Sequence, residues 1–237
     1  PSQENRFYLR PLIVKNQAVL SRGGGIYSVD SSPVISGCTI SDNVASVMGL
    51  NPGGGLYALN STVSISSSIF WQDAPDEIDC SGPVPAAVYS DIQGGYLGEG
   101  NIADVPGFVN PAGSDYHLTR QSPCLDRGSP VNGGAASFDI EGNPRVVDGD
   151  CDSQPKVDMG ADEYYKPCGC DLYKDCRCDM RDWVIFGRDW GRTDCSTGGS
   201  PCPCDLNRDG RCDMRDWVLF GRNWGSTDCT GVYLQIQ

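Results

Sequence analysis

Histidine is nearly absent: His117 is the only one among 237 residues. Basic residues are also scarce, with 18 Lys and Arg against 31 Asp and Glu, for a formal charge of −13. A chain this acidic is poorly suited to a phosphate backbone or an anionic membrane surface, so nucleic acid is not expected as a partner. No apolar run reaches the length of a membrane span, so none is expected. What the chain has in quantity is cysteine, glycine and proline, at 13, 30 and 16 residues. Nine of the cysteines fall between Cys168 and Cys229, while Cys38, Cys80, Cys124 and Cys151 are scattered. Such crowding points to disulfide staples and to an oxidising, extracellular or cell-surface location. Zinc is the rival reading. However, Cys168-Gly169-Cys170 and Cys202-Pro203-Cys204 have one-residue spacers where zinc knuckles use roughly two to four. The odd cysteine total leaves at least one thiol free or joined to another molecule.

Internal repetition organises the first hundred residues. Gly23-Gly24-Gly25-Ile26-Tyr27 recurs as Gly53-Gly54-Gly55-Leu56-Tyr57, thirty positions later. Each copy precedes a short alternating segment of β-branched and small polar residues, 32–40 and 61–69. Ile13, Ile40, Ile69 and Ile92 align as apolar anchors at spacings of 27, 29 and 23, with Asn16 and Asn43 three residues after the first two. No helical period is visible. Short strands, small polar partners and glycine corners at this spacing fit the rungs of a solenoid of parallel strands.

These segments resemble the bacterial right-handed parallel β-helix proteins of the pectate-lyase-like fold. Residues 89–95, 107–118, 122–128, 139–145 and 157–164 resemble the last rung and following segments of such chains. The resemblance covers about residues 8–165 and implies a mainly β fold. Residues 1–105 are expected to form a short right-handed β-helix, and 106–167 an irregular cap at its C-terminal end.

A second repeat is sharper. Residues 167–195 and 201–229 match at a constant offset of 34 without a gap. The second copy carries Asp205, Asn207, Asp209, Asp213 and Asp216 at positions 1, 3, 5, 9 and 12 of a twelve-residue loop, with Gly210 at position 6 and the Arg211 carbonyl at position 7. That is calcium-loop spacing: Ca²⁺ takes hard oxygen donors, and alternate residues of a tight loop turn inward together. The first copy offers Asp171, Asp175, Arg177, Asp179 and Asp182, but Tyr173 occupies position 3 and Cys176 occupies position 6. A weaker first site is expected, or one in which a disulfide replaces part of the metal's structural work. The tandem loop–helix pair resembles a dockerin module, so a small α, disulfide-rich, calcium-binding unit is expected over 168–230.

In paired calcium loops the position-8 residues, here Cys178 and Cys212, face each other, which predicts a Cys178–Cys212 disulfide. Local pairs such as Cys170–Cys178, or simple packing of two small residues, remain open. Cys176 has no counterpart in the second copy, and Cys195 is its candidate mate. In dockerins, loop positions 10 and 11 read the partner. Here they are Met180-Arg181 and Met214-Arg215, unlike the small hydroxyl pairs of cellulosomal dockerins. After each loop, Met180, Trp183, Val184, Gly187 and Trp190, and again Met214, Trp217, Val218, Gly221 and Trp224, fall on one helix face. A shared core between the helices is expected there, with a sugar platform as the alternative. The arginines alongside form either a solvated face or a dock for an acidic partner.

Catalytic signals are thin. The Asn-Thr-Asp, Gly-Asp-Asp and Gly-His-Gly stretches of polygalacturonase-like chains do not occur, and His117 reads as structural. Asp73, Asp76, Glu77 and Asp79 form an acidic cluster that could hold a cation, with an acidic surface loop as the default. Residues 231–237 alternate like a half-buried strand that folds back or adds to an edge on another molecule. The expected function is a non-catalytic extracellular structural, assembly or adhesion protein. Its calcium-stabilised module would attach it to a protein partner or drive self-assembly, including into filaments. The alternatives are the C-terminal part of a secreted polysaccharide lyase or hydrolase, or a carbohydrate-binding module.

Overall fold

The computed structural model describes residues 8–9, 12–46, 53–129, 138–142, 144–147, 154–164, 170–173, 177–195, 202–222 and 224–225. Asp175, Cys176 and the strand-patterned tail 231–237 lie outside the described residues. The chain is mainly β, with a small disulfide-bonded helical region towards its C-terminus. It divides into two compact units, Pro1–Val147 with Pro155–Tyr164, and Asp148–Gln154 with Tyr165–Gln237.

In the first unit, short strands deal themselves in turn to parallel sheets. One sheet holds Tyr8–Leu9, Val34–Ser36, Ser64–Ser66 and Ala86–Val88. A second holds Leu12–Val14, Thr39–Ser41, Ile69–Trp71 and Asp91–Ile92. A third holds Ile26–Val29, Leu56–Leu59 and Ile78–Ser81, and Gln17–Val19 pairs with Val44–Ser46. Successive circuits of the chain thus add strands to these sheets in the same order, giving four, four, three and two strands, and like residues stack on like. Ile35 pairs with Ile65, and Ile65 with Ala87. The interior is a dry column that includes Ile35, Ile40, Leu56, Val63, Ile65, Phe70 and Ile92.

The repeated glycines follow from this stacking. A Cβ on Gly54 would stand 2.2 Å from the Ala74 nitrogen, and one on Gly24 would stand 2.5 Å from the Gly54 carbonyl oxygen. The next circuit passes too close for any side chain. The corners also repeat: Lys15, Asp42 and Gln72, each just after a second-sheet strand, all have left-handed φ near 57° (56°, 58° and 58°).

The register corrects one anchor. Ile13 pairs with Ile40, Ile40 with Phe70, and Phe70 with Ile92, whereas Ile69 pairs with Thr39 and Asp91. Strand side chains alternate between faces, so a one-residue slip reverses the face. Phe70 fills the interior, and Ile69 packs outside with Leu118, Cys124, Leu125 and Met159. Described residues of 106–129 and 155–164 lie along the flank of the stack. Lys15 Nζ donates to the Ala112 carbonyl, the Tyr116 hydroxyl to Asp42, the Ala161 amide to Thr39 Oγ1, and the Gly160 amide to the Ser67 carbonyl. The far edge of the last circuit pairs instead with 99–102, through Tyr89 N to Glu99 O and Ile92 N to Ile102 O.

Candidate functional site: the duplicated loop–helix unit

Helix α1 (Met180–Arg188) and helix α2 (Met214–Arg222) each begin on an aspartate. Asp179 Oδ1 accepts from the Arg181 amide at 2.8 Å, and Asp182 Oδ2 accepts from the Asp179 amide at 2.8 Å, a reciprocal capping box. The second copy repeats it, with Arg215 N to Asp213 Oδ1 and Asp213 N to Asp216 Oδ2, both 2.8 Å. Loop positions 9 and 12 therefore double as N-cap and third helical residue. The Asp-Met-Arg-Asp spacing carried that signal in the sequence.

Asp216 and Asp182 are fully buried. Asp216 Oδ1 accepts from the Leu206 and Asn207 amides at 2.9 and 3.1 Å, so it ties the start of the loop to its end. Asp182 Oδ1 does the same with the Tyr173 amide at 2.8 Å. In the second loop, Asp205 accepts from the amides of Asp209 and Gly210, and Asn207 Oδ1 from Asp209. Asp209 accepts from the Arg211 amide, and its second oxygen meets Asn207 Nδ2 at 3.1 Å and Arg215 Nη1 at 3.3 Å. In the first loop Asp171 is buried, Arg177 is exposed, and the exposed Tyr173 ring lies under the Arg181 guanidinium at 5.5 Å. Tyr173 thus turns away from the loop interior.

The disulfides overturn two expected pairings. Cys178 bonds Cys170, Cys212 bonds Cys204, and Cys195 bonds Cys202. A Cys178–Cys212 link is replaced by one local staple in each loop, and Cys195 is taken by the link between the copies rather than by Cys176. The physical reason is in the backbone. Opposite Cys212 lies the segment after α1, with Gly191 N donating to Cys212 O and Cys212 N to Arg192 O. Opposite Cys178 lies the segment after α2, with Gly225 N donating to Cys178 O. The place expected for the other loop's position 8 is occupied in each half by the opposite copy's post-helix turn.

The helix faces are also reversed. The core of the unit is Phe186 and Phe220, with ring centroids 4.8 Å apart, packed among Cys170, Cys178, Cys204 and Cys212. The stripe expected to be the core lies outside: Trp183, Trp190, Trp217 and Trp224 are 41%, 46%, 39% and 45% exposed. Met180, Val184, Met214 and Val218 are more exposed still. Trp190 and Trp217 meet edge to face, and Trp224 leans on Phe220. Met180, Trp183, Trp217, Phe220, Gly221 and Trp224 line an apolar groove of about 510 Å³. Exposed arginines 181, 188, 215 and 222 belong to the same helices.

Among the described residues, one set of three His, Cys, Asp or Glu ligand atoms converges within 4.8 Å, and it lies in the first unit: His117, Glu141 and Asp162. The acidic cluster after Ile69–Trp71 is not a plain surface loop, because Asp73 is buried, its amide donates to Glu77 and its carboxylate accepts from Asn43. Comparison of the chain with protein-family models, with curated proteins and with solved structures gives no match in any of the three.

Proposed function

We infer that the chain is a non-catalytic extracellular structural protein, a right-handed parallel β-helix of the pectate-lyase-like type carrying a dockerin-like attachment module. The observation that carries this reading is the outward apolar face of the duplicated helices. A folded domain that buries two phenylalanines while leaving four tryptophans, two methionines and two valines exposed carries an apolar patch of the sort that marks interaction sites. Tryptophan and arginine are also the residues that dominate protein–protein hot spots. Met180-Arg181 and Met214-Arg215 sit on this face, at the positions that read the partner in dockerins. The arginines favour a partner with acidic residues around an apolar ridge.

The second loop carries the oxygen donors that a hard cation takes. Asp205, Asn207, Asp209, the Arg211 carbonyl and Asp216 would hold Ca²⁺, and Asp216 is a fully buried carboxylate that accepts from backbone amides. Asp171, Asp182 and the Arg177 carbonyl would serve the first loop, with Asp179 committed to its helix cap. The ion supplies charge neutralisation that lets the loop close. The loop then fixes the start of its helix, and the helix presents the face.

Sedimentation equilibrium of the full, disulfide-intact chain in Ca²⁺ tests the assembly branch of this reading. The expected result is concentration-dependent association that weakens in chelator and in Met214→Asp with Trp217→Ala. Association unchanged by both, or a monomer at every concentration in Ca²⁺, overturns self-assembly through this face.

A further inference from the structure

Three segments distant in sequence bring ligand atoms together in the first unit. His117 lies on the strand Asp115–Leu118, Glu141 in the turn closed by the Phe138–Pro144 bridge, and Asp162 in the segment after Gly160. Hydrogen bonds place them without help from an ion. The Leu118 amide donates to Asp162 Oδ2 at 2.8 Å, and the Ile140 amide to the Ala161 carbonyl at 3.2 Å. The Glu141 amide donates to Asp139 Oδ1 at 2.8 Å.

The imidazole is oriented as a ligand. Asp115 Oδ1 stands 2.6 Å from His117 Nδ1, which holds the proton there and leaves the Nε2 lone pair available. Nε2 is itself buried and has no hydrogen-bond partner among the described residues, although Glu141 Oε1 is only 3.1 Å away. That contact is close but off the axis a hydrogen bond needs. It matches the edge of a tetrahedron instead: metal–nitrogen and metal–oxygen bonds of about 2.0–2.1 Å put neighbouring ligand atoms roughly 3.3 Å apart. The His117 and Glu141 side chains are 41% and 54% exposed, so solvent has access to a fourth position.

We propose that His117, Glu141 and Asp162 form a site for a divalent transition metal of the zinc type, with Asp115 as the positioning residue. Imidazole with two carboxylates suits Zn²⁺ or Co²⁺ and not Ca²⁺, which prefers all-oxygen shells. This site is separate from the loops of the second unit. A bound ion would clip the strand, the turn and the segment after Gly160 to one another. It would also neutralise three carboxylates gathered around one ring.

The test uses the full chain with disulfides intact, stripped of metal and then held in excess Ca²⁺ to fill the loops. Zn²⁺ is titrated by calorimetry, and Co²⁺ by its visible absorption. The wild type is expected to take up one equivalent more than His117→Gln or Glu141→Gln, with tetrahedral Co²⁺ bands lost in both. Asp115→Asn is expected to weaken uptake by about 10–100-fold. Zn²⁺ should raise the melting temperature of the wild type and not of Glu141→Gln. Glu141 is exposed, so its substitution keeps the comparison sound if the His117 variant folds poorly. Equal uptake by wild type and both variants assigns the metal elsewhere and overturns the site. No uptake above buffer leaves His117 exchanging only protons with Asp115 and Glu141, and overturns it equally.

Discussion

At the scale of single residues, the stack is pinned by a polar column inside its corner. Asn43 is fully buried; its Oδ1 accepts from Asn16 N and Nδ2, and its Nδ2 donates to the Ile13 carbonyl and to Asp73 Oδ1. Asn43→Ala strands several of these groups away from water, so a loss of about 2–4 kcal/mol is expected in denaturant unfolding. Below Asn43 the column ends on a carboxyl pair. Asp73 Oδ2 has no hydrogen-bond partner among the described residues, and the nearby Glu77 carboxyl accepts from the Asp73 amide at 3.2 Å. Burial raises Asp73 to about 6, and burial together with repulsion from Asp73 raises Glu77 to about 9. The native state therefore keeps protons that the unfolded chain releases, and stability falls as pH rises from the ordinary carboxyl range towards 9. Glu77→Gln removes that ionisation and keeps a donor towards Asp73. Its melting temperature should decline less between pH 5 and pH 9 than the wild type's, by the equivalent of about 1–2 kcal/mol. Parallel declines would show that Glu77 does not carry the pH dependence. Asn16 and Asn43 were legible as a matched pair because a stacked amide needs the same residue one circuit on. Asp73 was not, because a carboxylate on a chain rich in acids reads as surface until its burial is known.

At the scale of elements, the sequence was most readable where backbones touch. The two Gly-Gly-Gly runs marked close approach of successive circuits, and Gly54→Ala puts its Cβ against backbone that has no flexible end to yield. Expression as soluble protein should drop sharply for Gly54→Ala and stay normal for Gly142→Ala, where nothing lies within 4 Å of the new carbon. Gly142 has a φ of 88°, so a small loss of stability there is also expected. The Ile69 anchor failed for the complementary reason. Strand period fixes which residues share a face, but Ile69 and Phe70 are both apolar and both buried, one inside the stack and one against the flank. The helices misled more fully. A stripe of Met, Trp, Val and Gly at helical spacing reads as core in a monomer, because periodicity reports amphipathicity and not what covers the apolar side. Here Phe186 and Phe220 with four half-cystines supply the core of a unit too small to bury eight more large residues. The local staples Cys170–Cys178 and Cys204–Cys212 each close a loop of sequence separation 8. Replacing Cys204 and Cys212 by Ala should lower the stability of that unit by about 2–3 kcal/mol in Ca²⁺. Mass mapping of an intact Cys178–Cys212 link in the native chain would restore the pairing that position 8 suggested.

At the scale of the whole molecule, the two units rest on different physics, and one experiment can separate them. The first is held by an apolar column and long parallel ladders, none of which involves the loop aspartates. The second has a core of two phenylalanines and four disulfide-bonded cysteines, and two fully buried carboxylates, Asp182 and Asp216. Small units of this kind depend on staples and metal because their apolar burial alone does not offset chain entropy. The tryptophans provide an internal reporter. Trp71 is the only one in the first unit, and the other four of the five are in the second. Tryptophan emission thus follows the loop–helix unit, while the far-ultraviolet strand signal follows the stack. If Ca²⁺ binds only the native loops, saturating ion at about a thousand times its dissociation constant stabilises that unit by about 4 kcal/mol per site. Chelator should then lower the emission transition by many degrees and leave the strand transition in place, and reduction of the disulfides in chelator should remove the emission transition altogether. The two losses need not add. Each staple spans a loop that the ion also closes, so ion and disulfide restrain the same residues, and the chelator effect should be larger after reduction than before. Coincident transitions that shift together would make the two units one cooperative structure. An emission transition indifferent to chelator in both redox states would take calcium out of the module's folding.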